Sequence, residues 1–79
     1  MEQNLKEVFR ARLVEAMESA GVSQSELSRR IGCSREYVHY YVHGRMVPNF
    51  YRAYEIANAL GVDLYWLMGV EENESEQEE

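Results

Sequence analysis

The chain has 79 residues, 46% of them hydrophobic, one proline and a formal net charge of −6. This length holds one domain with one small core and leaves little room for an enclosed substrate pocket. A single cysteine, Cys33, excludes an intrachain disulfide and a zinc site built from thiolates alone, and the short apolar runs exclude a membrane span.

The first helix is expected from about Leu5 to Ala20. Leu5, Val8, Phe9, Leu13, Ala16, Met17 and Ala20 recur at three- and four-residue steps and form one apolar stripe, with Lys6, Arg10 and Glu18 facing outward. Gly21 ends it and Val22 re-enters the core. The opening MEQNLKE lacks the basic start and apolar run of a secretory signal, and with the lone cysteine it points to a reducing, cytoplasmic setting.

The second helix is expected at about 24–31. Ser23 and Glu26 have the spacing of a capping box, in which each side chain satisfies an amide of the other residue. Leu27 and Ile31 are its core contacts, and Ser28 is small enough for a helix to cross above it. Gly32 allows a sharp turn, and Ser34 then caps a third helix at about 35–43, stopped by Gly44. A loop follows, in which Pro48 disfavours helix at Val47. Asn49 caps a fourth helix at about Phe50 to Leu60, with Phe50, Ala53, Tyr54, Ile56, Ala57 and Leu60 as its apolar set. Asp63 caps a short fifth helix, Leu64 to Met68, where Trp66 and Leu67 close the core. Short connections between short helices predict an all-α, compact five-helix bundle over residues 1–70. Residues 71–79 hold six Glu and no hydrophobe, and are expected to form an acidic, disordered tail. That tail serves solubility in the simplest reading; competition with DNA and linkage to a further domain are the others.

The net charge misleads about partners. Outside the acidic tail, acids and bases balance. Between Arg29 and Arg52 stand five Arg against one acid, Glu36. Local charge decides where a polyanion docks. The third helix is the centre of this stretch. Arg35, Glu36, Tyr37, His39, Tyr40 and His43 fall on its outer face, and Val38, Tyr41 and Val42 on its inner face. A polar, aromatic helix braced by a shorter one suits the edge of a DNA major groove. Arg35 is the strongest candidate, because a guanidinium makes two parallel bonds to guanine O6 and N7. Glu36 accepts from cytosine N4 or orients Arg35. Tyr40 packs its ring on a thymine methyl or uses its hydroxyl as donor or acceptor. Arg29, Arg30, Arg45 and Arg52 add attraction that is independent of sequence. Tyr41 and Tyr54 are expected in the core, Tyr37 and Tyr40 on the surface. His39 and His43 have metal-ligand spacing, but no Glu beside them suits a zinc-protease helix, and no metal, cofactor, small-molecule ligand or catalytic constellation is expected.

Taken together, the run GVSQSELSRRIGCS from Gly21 to Ser34, Val38, Gly44-Arg45, Pro48, ALGVD from Ala59 to Asp63 and the ending YWLMG from Tyr65 to Gly69 resemble the lambda-repressor and Cro-type helix-turn-helix domain. The resemblance spans about residues 5 to 69 and implies the same five-helix fold. It implies DNA-base contacts for Arg35, Glu36 and Tyr40, with His39 assisting. For Gln24 it implies a DNA-backbone contact that also steadies the first base-reading side chain. Ser34, Arg45 and Asn49 fall at positions that meet phosphates, and Tyr37, His43 and Arg52 are placed with them on the DNA backbone. The resemblance further implies a homodimer on a near-palindromic operator, touching near Val62, Asp63, Tyr65 and Trp66, in a phage-type repressor that acts without catalysis. This chain departs from the family at the base-reading positions, where Gln or Ser is common, and at Tyr41, where a smaller aliphatic residue is common. A competing expectation is a protein-interaction module, a dimeriser or antitoxin-like partner, that keeps the fold without binding DNA. Glu36, the charge balance and the aromatic third helix favour it.

Overall fold

The computed structural model describes residues 4–70. Among them are five helices and no strand: α1 (Leu5–Ala20), α2 (Gln24–Ile31), α3 (Arg35–Val42), α4 (Phe50–Leu60) and α5 (Leu64–Met68). The acidic segment 71–79 lies outside the described residues.

Local chemistry sets these boundaries. The side chains of Ser23, Asn49 and Asp63 each accept the amide three residues on, from Glu26, Arg52 and Trp66. Each bond satisfies a donor that has no partner inside the helix. Asn4 caps α1 in the same way, accepting from Lys6 and Glu7, a cap that the sequence reading did not identify. Gly32 ends α2 at φ 70°, a left-handed conformation that costs a side-chain-bearing residue about 1–2 kcal/mol. Gly69 ends α5 at φ 78° and lies directly on α1, where a Cβ would come within 2.7 Å of Val8 Cγ1. Only glycine allows both the turn and the approach.

Two caps differ from expectation. The capping box at Ser23 forms by half, because Glu26 turns its carboxylate to Arg29 and Arg30 instead of back to the Ser23 amide. Ser34 stands at the N-cap of α3, but its hydroxyl caps nothing. The Tyr37 amide that it would have taken bonds to the Ser34 carbonyl at 3.1 Å. α3 ends at Val42, with His43 as its C-cap and Gly44 as the left-handed residue beyond.

The core is a single cluster. Phe9, Leu13, Leu27, Val38, Ile56 and Leu67 are almost fully buried, and they come from all five helices. The long α1 packs against α3, α4 and α5, while α2 packs against α3 and α4. The Phe9 ring meets Tyr41 edge-on, with centroids 6.3 Å apart. This contact seats the inner face of α3 on α1. Tyr41 is therefore core, as expected from its position.

Other apolar residues are not where the stripe pattern put them. Leu5 and Ala20, at the ends of α1, are exposed. Phe50 and Tyr54 are exposed too, at 66% and 51%. The buried face of α4 is Ala53, Ile56, Ala57 and Leu60, which leaves Phe50 and Tyr54 on its flank, stacked on each other at 6.5 Å.

Candidate nucleic-acid interface

Burial splits α3 as its sequence does. Val38 and Tyr41 are buried and Val42 is half-buried. Arg35, Glu36, Tyr37, His39 and Tyr40 are exposed, as is His43 just beyond. Among the described residues, Arg35, Glu36 and Arg45 form no side-chain hydrogen bond or ion pair with the protein. An exposed guanidinium without an internal partner is available for bidentate bonding. Further along the helix the rings form a row. His39 meets Tyr40 edge-on at 6.1 Å and lies against His43 at 4.1 Å. Tyr40, Arg45 and Met46 line a shallow concavity at the end of that row.

The supporting positions vary. Ser34 is exposed at the start of α3, and its hydroxyl makes no cap bond. Asn49 is exposed, and its Oδ1 takes the Arg52 amide at 2.9 Å, which leaves its amide nitrogen for an acceptor. Gln24 opens α2, half-buried, on the rim of a groove shared with Val42, and makes no hydrogen bond to Arg35.

The basic stretch divides in two. Arg35 and Arg45 are exposed with no side-chain partner among the described residues, and the other three arginines are engaged by the protein. Arg29 and Arg30 hold Glu26, whose carboxyl is kept below its ordinary range first by the Arg30 hydrogen bond and then by Arg29. Arg30 also donates to the Ala59 carbonyl at 2.8 Å. Arg52, expected on the DNA backbone, is engaged by the protein and half-buried. Its Nη1 donates to the Ile31 carbonyl at 3.1 Å, and it lies 3.6 Å from Glu55. The sequence shows the charge but not this employment, because both carbonyl partners come from another helix.

The positions named for self-association point to different sides. Tyr65 is 63% exposed and borders Phe50, Ala53, Leu64, Met68 and Val70. Trp66 is half-buried on the other flank, near Glu15, Ala16 and Ser19, with the Arg12 guanidinium 5.1 Å from its ring centre. Asp63 is committed to capping α5, and Val62 is half-buried between the two flanks. Sequence reasoning missed the joint exposure of Phe50, Tyr54 and Tyr65. The four-residue spacing of Phe50 and Tyr54 was its one visible sign.

Among the described residues no group of three or more His, Cys, Asp or Glu is arranged to hold a metal. No helix among them is long and apolar enough to cross a membrane.

Comparison with known proteins gives one family. The family described as "Helix-turn-helix" matches residues 13–67, which is more than half of the chain and includes α2, the turn and α3. No curated protein and no solved structure matches. With that match over an all-helical fold, the chain belongs to the helix-turn-helix family of DNA-binding transcription regulators.

Proposed function

We propose that this protein is a sequence-specific repressor of phage or prophage type, which binds a near-palindromic duplex operator as a homodimer and blocks polymerase by occupancy. The observation that supports base reading is the split of α3: a buried inner face beneath an outer face where Arg35 and Glu36 have no side-chain partner among the described residues. Arg35 bonds guanine O6 and N7. Glu36 accepts from cytosine N4 or holds Arg35 in line. Tyr40 contacts a thymine methyl and His39 assists from the side. Gln24, Ser34, Tyr37, His43, Arg45 and Asn49 meet the DNA backbone, which fixes register without carrying sequence information. Arg52 has no such role in this reading. The dimer uses the α5 side of the molecule. No cofactor is needed, no bond is made or broken, and the site of action is the cytoplasm of a bacterial or phage-infected cell.

Selection from a randomised duplex pool, at low and moderate salt, tests this. A near-palindrome with half-sites about one helical turn apart is the expected outcome. Retention without a motif, lost as salt rises, would reduce the function to backbone binding. The second reading, a protein-interaction module without DNA contact, is favoured by the exposed aromatic face of Phe50, Tyr54 and Tyr65, which lacks any basic side chain. No retention at either salt would select it.

A further inference from the structure

Two of the engaged arginines form reciprocal braces between α2 and α4. Arg30, in the last turn of α2, donates to Ala59 near the end of α4. Arg52, in the first turn of α4, donates to Ile31, the last residue of α2. Each guanidinium satisfies a carbonyl that has no partner inside its own helix, at the end where a cation is favoured.

Arg52 also acts on α3. Its side chain is 28% exposed, and its charge acts on the Tyr41 hydroxyl on the inner face of that helix. Burial pushes the Tyr41 hydroxyl above the ordinary tyrosine range, and the charge of Arg52 opposes that rise. Glu55, one turn along α4, steadies the same guanidinium. One cation from α4 thus bonds the last residue of α2 and acts by its charge on a buried ring of α3, the two helices joined by the turn at Gly32. Base reading needs side chains held to a fraction of an ångström, which requires a fixed supporting layer beneath them.

We propose that Arg52, reinforced by Arg30, is a positioning residue: through Ile31 and Tyr41 it sets the tilt of α3 on DNA, and it neutralises no phosphate. This inference rests on the DNA-binding reading above.

The test uses the full chain and the variants Arg52→Lys, Arg52→Gln and Arg30→Gln, all kept below their melting transitions. Affinity for the selected duplex and for a scrambled duplex is measured across a salt series. The expected result for both Arg52 variants is a roughly tenfold fall in preference for the selected duplex, comparable to losing one base contact, with an unchanged salt slope. Arg30→Gln should show a smaller fall of the same kind. Arg52→Lys is decisive because it keeps the charge but loses the planar fork, and it serves alone if Arg52→Gln does not fold. Equal losses on both duplexes, with the slope reduced by about 0.9 and restored in Arg52→Lys, would make Arg52 a phosphate contact instead. Equal losses with an unchanged slope would leave it only a stabilising residue and overturn positioning. Titration of the Tyr41 hydroxyl by NMR needs no DNA, and loss of the Arg52 fork should move it further upward. An unmoved Tyr41 would overturn the contact itself. If the wild-type chain binds no duplex, the DNA reading fails, and the Tyr41 titration still decides whether the brace exists.

Discussion

Arg35 and Arg52 belong to one basic stretch of sequence, and packing gives them opposite surroundings. Arg35 stands on the outer face of α3 with no side-chain partner among the described residues, while Arg52 reaches the main-chain carbonyl of Ile31 at the end of α2. Arg35→Ala should therefore remove base reading and leave the remaining backbone contacts. The expected loss on the selected duplex is about 1–3 kcal/mol, with little change on a scrambled one. Titration of both duplexes measures this, and a parallel loss on the two would assign Arg35 to the phosphates. Beneath the same helix, Tyr41 makes stability depend on pH. Its hydroxyl is raised above its ordinary value of 10.0, chiefly by burial. For an acid whose folded value is raised, the neutral form is the one that favours folding. The contribution is complete below the unfolded value and declines as pH rises through the folded one. Thermal melts of the wild type should fall at alkaline pH above about 10, and Tyr41→Phe should fall less. Identical alkaline profiles would mean that the Tyr41 ring is less enclosed than Phe9 and Arg52 make it.

At the scale of the element, the sequence made the helices legible and their relations only in part. Ser23, Asn49 and Asp63 announce starts, and Gly21, Gly32, Gly61 and Gly69 announce ends, because caps are made by bonds within a few residues. Ser34 has the right residue type for a cap and forms no cap bond, since the Tyr37 amide goes to a carbonyl. That difference can be measured. Ser23→Ala removes a real cap bond and should cost about 1 kcal/mol, whereas Ser34→Ala should change stability by only a few tenths. Denaturant unfolding compares them directly, and equal costs would mean that the Ser34 hydroxyl caps α3 in solution. If Ser34 meets a phosphate, the ranking inverts for DNA affinity, so the two serines separate folding from binding. What the sequence did not reveal depends on partners distant in the chain. The outward flank of α4 is set by where α5 lies, and the arginine braces are set by carbonyls at Ile31 and Ala59. The outer face of α3 was legible because the same short helix carries its buried face.

The whole molecule presents one further surface that folding leaves uncovered. Phe50, Tyr54, Tyr65 and Val70 are each more than half exposed, and they adjoin one another along α4 and α5. From the accessible area of such side chains they offer roughly 400 Å² of mostly apolar surface per copy. A two-fold pairing would bury the same patch on both copies, or about 800 Å² in total, well below the roughly 1,200 Å² at which stable interfaces begin. Such a dimer should be weak in free solution and should form when two half-sites hold the copies side by side. Trp66 contributes little to it, because Arg12 and α1 occupy that flank. Tyr54→Arg places like charges opposite each other at this surface while leaving α3 and the core of α4 unchanged. The variant should bind an isolated half-site as the wild type does, but lose the steep concentration dependence on a full operator. Sedimentation velocity with and without a two-site duplex provides an independent reading. An unchanged steepness, with two copies still assembled on the duplex, would move the interface away from α4 and towards the Trp66 flank.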